Sequence, residues 1–212
     1  MKIEKIAKKN KNNVVIKFDN QSELIINYEI FLKGGLRKGN EISSDRFSFL
    51  VEENEKHKIK TEAINFLARR IHSEKELGNK LLRKKYKTKV INDIIDELKE
   101  KELIDDYKYG LIFTEEKMRT KLWGEKRIRG ELLKRGISYE LVSQVIKEKF
   151  PEGNKINDAV TLAEKKMKTL SKYDLERRKL AERIYSYLAS RGYDYQTSRE
   201  AVEKVLDENF TE

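Results

Sequence analysis

The sequence contains no cysteine, one proline and two histidines among its 212 residues. Without cysteine the chain can form neither a disulfide nor a thiolate metal site, and His57 and His72 are too few for an ordinary zinc site. No stretch approaches the run of about eighteen apolar residues that a membrane-spanning helix requires. The first residues, MKIEKIAKKNKNN, lack the apolar core of a signal peptide. We therefore expect a soluble, cytoplasmic protein with no metal ion or other cofactor.

Patterns typical of catalytic sites are missing as well. The sequence has no Gly-rich loop followed by Lys-Ser/Thr, no Gly-x-Ser-x-Gly and no Cys/His pair. The acidic pair Asp105-Asp106 has no histidine, cysteine or third carboxylate at metal-ligand spacing. We interpret Asp106 instead as the N-cap of a helix that starts near Tyr107. The sequence therefore does not predict an enzyme.

Charge is abundant and unevenly distributed. Charged residues make up 40% of the chain and apolar residues 38%, which favours a thin core and a modular, extended shape. The formal net charge of +10 favours an anionic partner, such as nucleic acid or an assembly built on it. The excess of basic residues is +5 over 107–151 but zero over 152–212. The second of these regions is therefore the poorer candidate for an anion-binding surface.

The first sixty residues have the composition of β structure. VVIKF (14–18) and ELIINYEIFL (23–32) are rich in β-branched and aromatic residues and flank the turn formers DNQS, which predicts a hairpin. A further short strand is predicted around Phe47–Val51. Residues 1–60 are therefore predicted to form a small β-rich N-terminal element.

From about Thr61 the pattern becomes helical and repeats three times. Three second helices can be aligned without gaps at offsets of 51 and 56 residues: ELGNKLLRKKY (76–86), RIRGELLKRGI (127–137) and RIYSYLASRGY (183–193). Each is preceded by a helix, at roughly 62–71, 107–122 and 155–170, and is followed by another. Because a helix with one apolar stripe must be covered by neighbours, we predict a mainly α protein. Its three tandem three-helix repeats, at 61–106, 107–151 and 152–212, would form an elongated array.

Capping residues support these boundaries. Ser73 with Glu76 forms a capping box, and Ser138 and Asp194 are suitable N-caps. Gly136 and Gly192 occupy the position where a helix ends in a left-handed turn. In the first repeat Lys85 takes this position, so its turn is predicted to differ in geometry or to carry strain.

Three segments follow one another along the helical part of the chain: AINFLARRIHSEKELGNKLLRKKYKTKVINDIIDELKEKELIDD, ELIDDYKYGLIFTEEKMRTKLW, and GEKRIRGELLKRGI followed by SYELVSQVIKEKF. In this order they resemble the RecX family of bacterial recombinase regulators. The third repeat departs from the family pattern in its long KYDLERRKLAERI approach. The resemblance implies a non-enzymatic modulator that binds the RecA nucleoprotein filament along its groove. Such proteins suppress strand exchange, coupled ATP hydrolysis and co-protease activity.

The implied partners are the RecA filament and, weakly or indirectly, single- and double-stranded DNA, with no membrane contact. We expect a monomer. Three tandem modules suit a filament as partner, because an elongated array can reach successive subunits and gain affinity through effective concentration. The alternative is a direct DNA-binding protein, since three-helix units of this size also resemble helix-turn-helix folds. Tight, selective duplex binding at physiological salt would favour that alternative.

Basic residues of the second helices are the candidates for filament or DNA binding. They are Lys80, Arg83, Lys84, Lys85, Lys126, Arg127, Arg129, Lys134, Arg135 and Arg191. Salt-dependent contacts with phosphate or acidic protein would use them, although ion pairs such as Arg127–Glu131 on a solvated helix face also explain part of the pattern. Lys84, Arg135 and Arg191 occupy matching positions, which predicts a common basic edge.

Two further residues of this region are predicted to have structural roles. Arg129 falls within the apolar arc of its helix, so it is predicted to extend outward or to pair with a carboxylate of a neighbouring helix. Trp123, the one tryptophan, is interpreted as a core residue.

Overall fold

The computed structural model describes residues 1–173 and 175–210, with side chains described to residue 207 except at position 174. These residues form three strands and ten helices. The chain divides into two compact units. One comprises Met1–Ile71 and Leu77–Leu103, and the other comprises His72–Glu76 and the chain from Ile104 onward. No helix in the described ranges is long and apolar enough to cross a bilayer.

The N-terminal sheet is a three-stranded antiparallel meander in the order β1-β2-β3. Its strands are β1 (Ile3–Lys8), β2 (Asn13–Phe18) and β3 (Glu23–Asn27). Ile16 of the central strand pairs with Ile6 on one side and Leu24 on the other. Alternate side chains of β2 are buried, as a sheet with one covered face requires. The predicted hairpin is therefore confirmed.

The predicted strand at Phe47–Val51 is wrong, because these residues lie in a helix. The polar turn formers around Gly39-Asn40 are followed by α2 (Ser44–Arg69), which begins where the Ser43 side chain accepts the Arg46 N–H. A short apolar run fits a turn of buried helix as well as a strand, and here Leu50 packs into the core beneath the sheet. The ELIINYEIFL segment also changes structure, since β3 gives way to α1 (Tyr28–Lys33). The predicted boundary at residue 60 falls inside α2.

The first repeat consists of the second half of α2, α3 (Glu74–Leu82) and α4 (Thr88–Glu100). Ile59, Leu77, Leu81 and Leu98 are completely buried in it. The turn after α3 contains Lys85 in the left-handed conformation, with φ of 64°. Of the two predicted alternatives, a turn of different geometry or a strained one, the structure shows a left-handed lysine and therefore the strained turn.

The second unit contains the six helices of the other two repeats. They are α5 (Asp106–Lys121), α6 (Glu125–Lys134), α7 (Tyr139–Lys149), α8 (Ile156–Leu170), α9 (Arg177–Arg191) and α10 (Tyr195–Phe210). Each triplet encloses its own apolar core, the second around Ile128 and Leu132 and the third around Ile184 and Leu188. The predicted fold class, with three three-helix repeats after a small sheet, is confirmed.

The aligned apolar positions of the second helices are not equally buried. The first two are inaccessible in every repeat, for example Leu77 and Leu81. The third position faces solvent: Leu82 is 43% exposed, Leu133 is 40% exposed, and Ala189 is also exposed. The buried stripe of these helices is therefore narrower than the sequence pattern predicts.

The N-caps predicted at Ser138 and Asp194 are present. Ser138 accepts the Leu141 N–H at 3.3 Å, and Asp194 accepts the Thr197 N–H at 2.9 Å. Gly136 and Gly192 have φ of 85° and 97°, and the N–H of the residue after each bonds back to a leucine carbonyl. The glycine thus lets each helix satisfy a carbonyl that would otherwise lack a partner.

Candidate functional site

The second and third repeats are joined through the end of one helix and the start of another. The first N–H groups of α6 have no partner within their own helix. The Gly124 N–H donates to the Arg191 carbonyl at 2.9 Å, and the Lys126 N–H donates to the Gly192 carbonyl at 3.1 Å. The Glu125 N–H donates to the Asn154 side chain at 2.8 Å. Because a helix start carries partial positive charge and a helix end partial negative charge, this arrangement is favourable as well as hydrogen-bonded.

This joint requires two glycines. A Cβ at Gly124 would lie 2.6 Å from the Gly192 carbonyl oxygen, and a Cβ at Gly192 would lie 2.4 Å from the Arg127 nitrogen. Both distances are too short for nonbonded atoms, and both neighbouring atoms belong to backbone that cannot move aside. The glycines therefore allow the two helix ends to meet directly.

A second joint of the same kind lies where the start of α3 meets the end of α6. The Ser73 hydroxyl donates to the Arg135 carbonyl at 2.8 Å, and the Glu74 N–H donates to the Asp106 carboxylate at 2.8 Å. Ser73 and Arg135 are the sequence equivalents of Gly124 and Arg191. The same positions thus form a joint twice along the chain.

This second joint corrects the predicted role of Asp106. The N-cap of α5 is Asp105, whose side chain accepts the Lys108 N–H at 2.9 Å. Asp106 is the first residue of α5, and its carboxylate accepts from the start of α3 instead. Glu76, the other half of the predicted capping box, uses its carboxylate on Tyr109 and Arg135, while its N–H donates to Ser73 at 3.2 Å.

A basic cleft, which we call the seam, lies at the joint between α6 and α9. Its volume is about 350 Å³, and the residues lining it are Lys126, Arg127, Gly130, Glu131, Lys134, Ala189, Ser190 and Gly192. No atom lies within 4 Å of the position that a Cβ of Gly130 would take, so the missing side chain leaves open space. Lys126 is exposed, and the Lys134 side chain is 75% exposed, 3.2 Å from Glu131. Three predicted site residues are therefore brought together around one cavity.

Arg127 is the rigid member of the seam. Its guanidinium lies 4.4 Å from the centre of the Trp123 ring, and Nη1 donates to the Ser190 carbonyl at 2.6 Å. The Arg127 Nε is buried without a hydrogen-bond partner among the described residues. Trp123 itself is half-buried and packs against the second core, in line with its predicted core role. Arg127 therefore holds its charge at a fixed place across the joint.

Arg135 and Arg129 are engaged inside the second unit. Arg135 lies 2.7 Å from Glu131, 3.6 Å from Glu76 and 4.3 Å from the centre of the Phe113 ring. Its hydrogen bond is the main cause that lowers the pKa of Glu131. Arg129 pairs with Glu125 at 3.0 Å on its own helix, so of the two predicted alternatives the pairing with a neighbouring helix is not found. The Arg129 guanidinium finds its carboxylate partner four residues earlier on the same helix instead.

The side chains of the other predicted residues do not line the seam. Lys80 lies 4.7 Å from the centre of the Phe66 ring, Lys84 lies 4.0 Å from Glu62, and Arg83 and Lys85 are exposed. All four belong to the first unit. Arg191 lies 4.9 Å from the centre of the Tyr187 ring in the second unit. The common edge of Lys84, Arg135 and Arg191 stays a prediction.

Sequence reasoning missed the joints, including the Asn154 side chain, which accepts from Glu125 and donates to Asp194 at 2.7 Å. The sequence feature that could have indicated the joints is Gly124, which opens GEKRIRG and is aligned with Ser73 of the first repeat. Within the described residues no cluster of three or more metal-ligating side chains occurs.

Tandem three-helix units joined through helix ends define this molecule as a helical-repeat protein. Comparison with known families is specific: residues 60–98, 105–146 and 156–202 match the first, second and third three-helix domains of RecX. The chain belongs to the RecX family.

Individual relatives support this assignment. The chain is 28% identical to a regulatory protein RecX of Clostridium botulinum (strain Alaska E43 / Type E3) over 97% of this chain and 95% of that protein. It is 29% identical to a regulatory protein RecX of Clostridium tetani over 95% and 92%. Among solved structures, a crystal structure of regulatory protein RecX has the same fold, with a TM-score of 0.73, 21% identity and coverage of 97% and 98%. RecX from Lactobacillus salivarius superposes with a TM-score of 0.62 at 24% identity, over 72% of this chain and 97% of that one.

Proposed function

We propose that this protein binds the RecA nucleoprotein filament and inhibits its strand exchange, ATP hydrolysis and co-protease activity. The observation that carries the proposal is the seam, where Lys126, Arg127 and Lys134 surround one cavity at the joint of two repeats. Membership of a family whose relatives are named regulatory proteins supports it, as does the resemblance of the sequence to recombinase regulators.

The proposed mechanism is steric and electrostatic. A nucleoprotein filament offers phosphate and acidic side chains, and a cation that is already held in place binds such groups without first having to be ordered. Arg127 is already fixed by the Trp123 ring and the Ser190 carbonyl. Repeats lodged in the filament groove would obstruct the second DNA strand, or the subunit motions linked to ATP turnover, and favour disassembly.

The test is a titration of RecA ATPase on single-stranded DNA with this protein. The unaltered chain is expected to inhibit at low ratios to RecA, and the double variant K126E/K134E is expected to need about tenfold more protein, because two salt-dependent contacts become repulsive. The matched control is K165E/K168E, which changes two exposed lysines of α8 that make no ion pair with any described residue.

Two outcomes would reject the proposal. One is the absence of inhibition by the unaltered protein, and the other is equal loss in the two double variants, which would indicate net charge rather than the seam. Tight, sequence-selective binding to bare duplex at physiological salt would identify the protein as a direct DNA binder instead.

A further inference from the structure

A second basic surface lies on the first unit, at the tip of the β1–β2 hairpin. Residues 2–17 contain six lysines and one carboxylate, Glu4. Three of the lysines, Lys8, Lys9 and Lys11, lie at the turn, are exposed and make no ion pair with any side chain that the structure describes. This concentration of unneutralised charge belongs to the first unit, whereas the seam belongs to the second.

The turn that carries these lysines is held by asparagines. The Asn10 side-chain oxygen accepts the Asn12 N–H at 3.0 Å and the Asn13 amide at 3.1 Å, and the Lys9 N–H donates to the Asn13 carbonyl at 2.9 Å. The Asn12 carbonyl accepts the N–H of Tyr28, the first residue of α1, at 2.8 Å. The tip is therefore fixed to the body of the unit, and a ligand would not have to order it.

A cleft of about 500 Å³ lies between this tip and α2. Lys9 and Asn12 line one side, and His57, Lys58 and Thr61 line the other. Glu62 adds one carboxylate to the lining, and its Oε2 lies 4.0 Å from the Lys84 ammonium. Asn54 closes the inner end, where its side chain bonds to the backbone of β3 at Asn27 and Ile25.

We propose that this cleft and the hairpin tip bind the phosphodiester backbone of a nucleic acid strand. Phosphate oxygens accept hydrogen bonds from ammonium and amide N–H groups. The volume of the cleft is in the range of sites for one nucleotide-sized ligand. Apart from His57 the described lining has no aromatic side chain, so it offers no platform for stacked bases. The site therefore binds phosphates without reading sequence.

The test is fluorescence anisotropy with labelled single-stranded and duplex oligonucleotides, over a series of salt concentrations and without recombinase. The double variant K9Q/K11Q is expected to bind at least about tenfold more weakly at low salt, and on a single strand the slope of log K against log salt is expected to fall by about 1.4. The control K165Q/K168Q removes the same charge from exposed positions of α8. Comparison of the two oligonucleotides shows which form of nucleic acid the site prefers.

A second variant tests the cleft itself. N12D has nearly the same shape and adds a negative charge to the lining, while the backbone bonds of Asn12 are retained. N20D is its matched control, because Asn20 lies in the turn at the other end of the same sheet, where its side-chain oxygen accepts from Ser22. We expect N12D to weaken binding severalfold and N20D to leave it unchanged.

Equal weakening by K9Q/K11Q and K165Q/K168Q, or by N12D and N20D, would overturn the inference, and so would unchanged binding in both hairpin variants. If the hairpin variants lost binding to polyglutamate as strongly as binding to nucleic acid, the inference would be overturned as well, since the site would then bind any polyanion. Because recombinase is absent from this assay, its result is independent of filament inhibition, and the hairpin variants leave the residues of the seam unchanged.

Discussion

Lys85 has a strained, left-handed backbone conformation in the first repeat. The φ of Lys85 is 64°. The equivalent positions of the other two repeats are occupied by glycines, Gly136 and Gly192. A lysine there suffers contact between its Cβ and the backbone that glycine avoids. We predict that K85G raises the free energy of unfolding by about 1 kcal/mol, measured by urea denaturation followed by circular dichroism.

The control for K85G is K87G, two residues along. Lys87 has φ of −68°, which any residue adopts. Glycine there only increases the freedom of the unfolded chain and is expected to give no stabilisation. Equal stabilisation by both variants would contradict the assignment of strain to Lys85.

Asp194 is expected to make the third repeat sensitive to acid. Burial acts to raise the pKa of its carboxyl, but hydrogen bonds from the Thr197 backbone and side chain and from Asn154 outweigh it and lower the pKa from 3.8 to about 2. Since the folded-state pKa is depressed, the stabilisation is fully present above about pH 4 and is lost as pH falls towards 2. We predict that D194N loses less stability than the unaltered protein over that interval.

Thermal unfolding at pH 5, 4, 3 and 2 would measure this effect. D19N is the control, since Asp19 is exposed in the turn after β2. An identical acid dependence of D194N and the unaltered protein would show that the capping carboxylate does not control acid stability.

At the level of elements, the joint between α6 and α9 depends on close backbone approach. We predict that G124A destabilises the second unit by about 1–3 kcal/mol, because its new Cβ would lie 2.6 Å from the Gly192 carbonyl oxygen. G130A is the matched control on the same helix, where open space surrounds the new methyl group. Alanine there is expected to stabilise the helix by up to about 1 kcal/mol.

Trp123, the one tryptophan, adjoins Gly124, so its fluorescence reports on the joint directly. Chemical unfolding followed by this signal would separate the two variants. Equal stability of G124A and G130A would show that the repeats do not depend on direct contact of the two backbones.

The sequence predicted elements well where one periodic pattern ran long enough. Leu77, Leu81 and their equivalents recur at helical spacing through three repeats, and the three-helix fold follows from burying them. The run Phe47–Val51 was too short to separate strand from helix, and its structure was decided by the Ser43 cap and by burial of Leu50. Local pattern alone did not contain that tertiary information.

The joints were harder to predict than the helices, since they link residues far apart in the chain. Ser73 bonds to Arg135, 62 residues away, and Arg127 bonds to Ser190, 63 residues away. The sequence pattern placed Lys126, Arg127 and Lys134 on one helix. It could not predict that α9 completes a cleft around them, because the cleft forms only when two repeats pack together.

For the whole molecule, the position of each basic residue decides what a charge-reversal experiment can report. Arg135 contacts two carboxylates and the Phe113 ring, so R135E would leave Glu76 and Glu131 facing a third negative charge. We predict that R135E destabilises the second unit by about 1–3 kcal/mol, a range that allows for its partial exposure. Urea denaturation would measure it, and a loss of inhibition in R135E would not by itself locate a binding surface.

Lys84 and Arg191 are the better test of the common basic edge, because reversal there breaks fewer contacts. The Lys84 side chain is 55% exposed and 4.0 Å from Glu62, and Arg191 packs against Tyr187. We predict that K84E/R191E inhibits RecA ATPase about tenfold more weakly than the unaltered protein while its circular dichroism is unchanged. K165E/K168E controls for total charge. The two double variants change the net charge equally, and only K84E/R191E alters the common basic edge, so they must inhibit differently if the edge binds the filament. Equal inhibition by the two variants would eliminate the edge and leave the seam as the proposed filament contact.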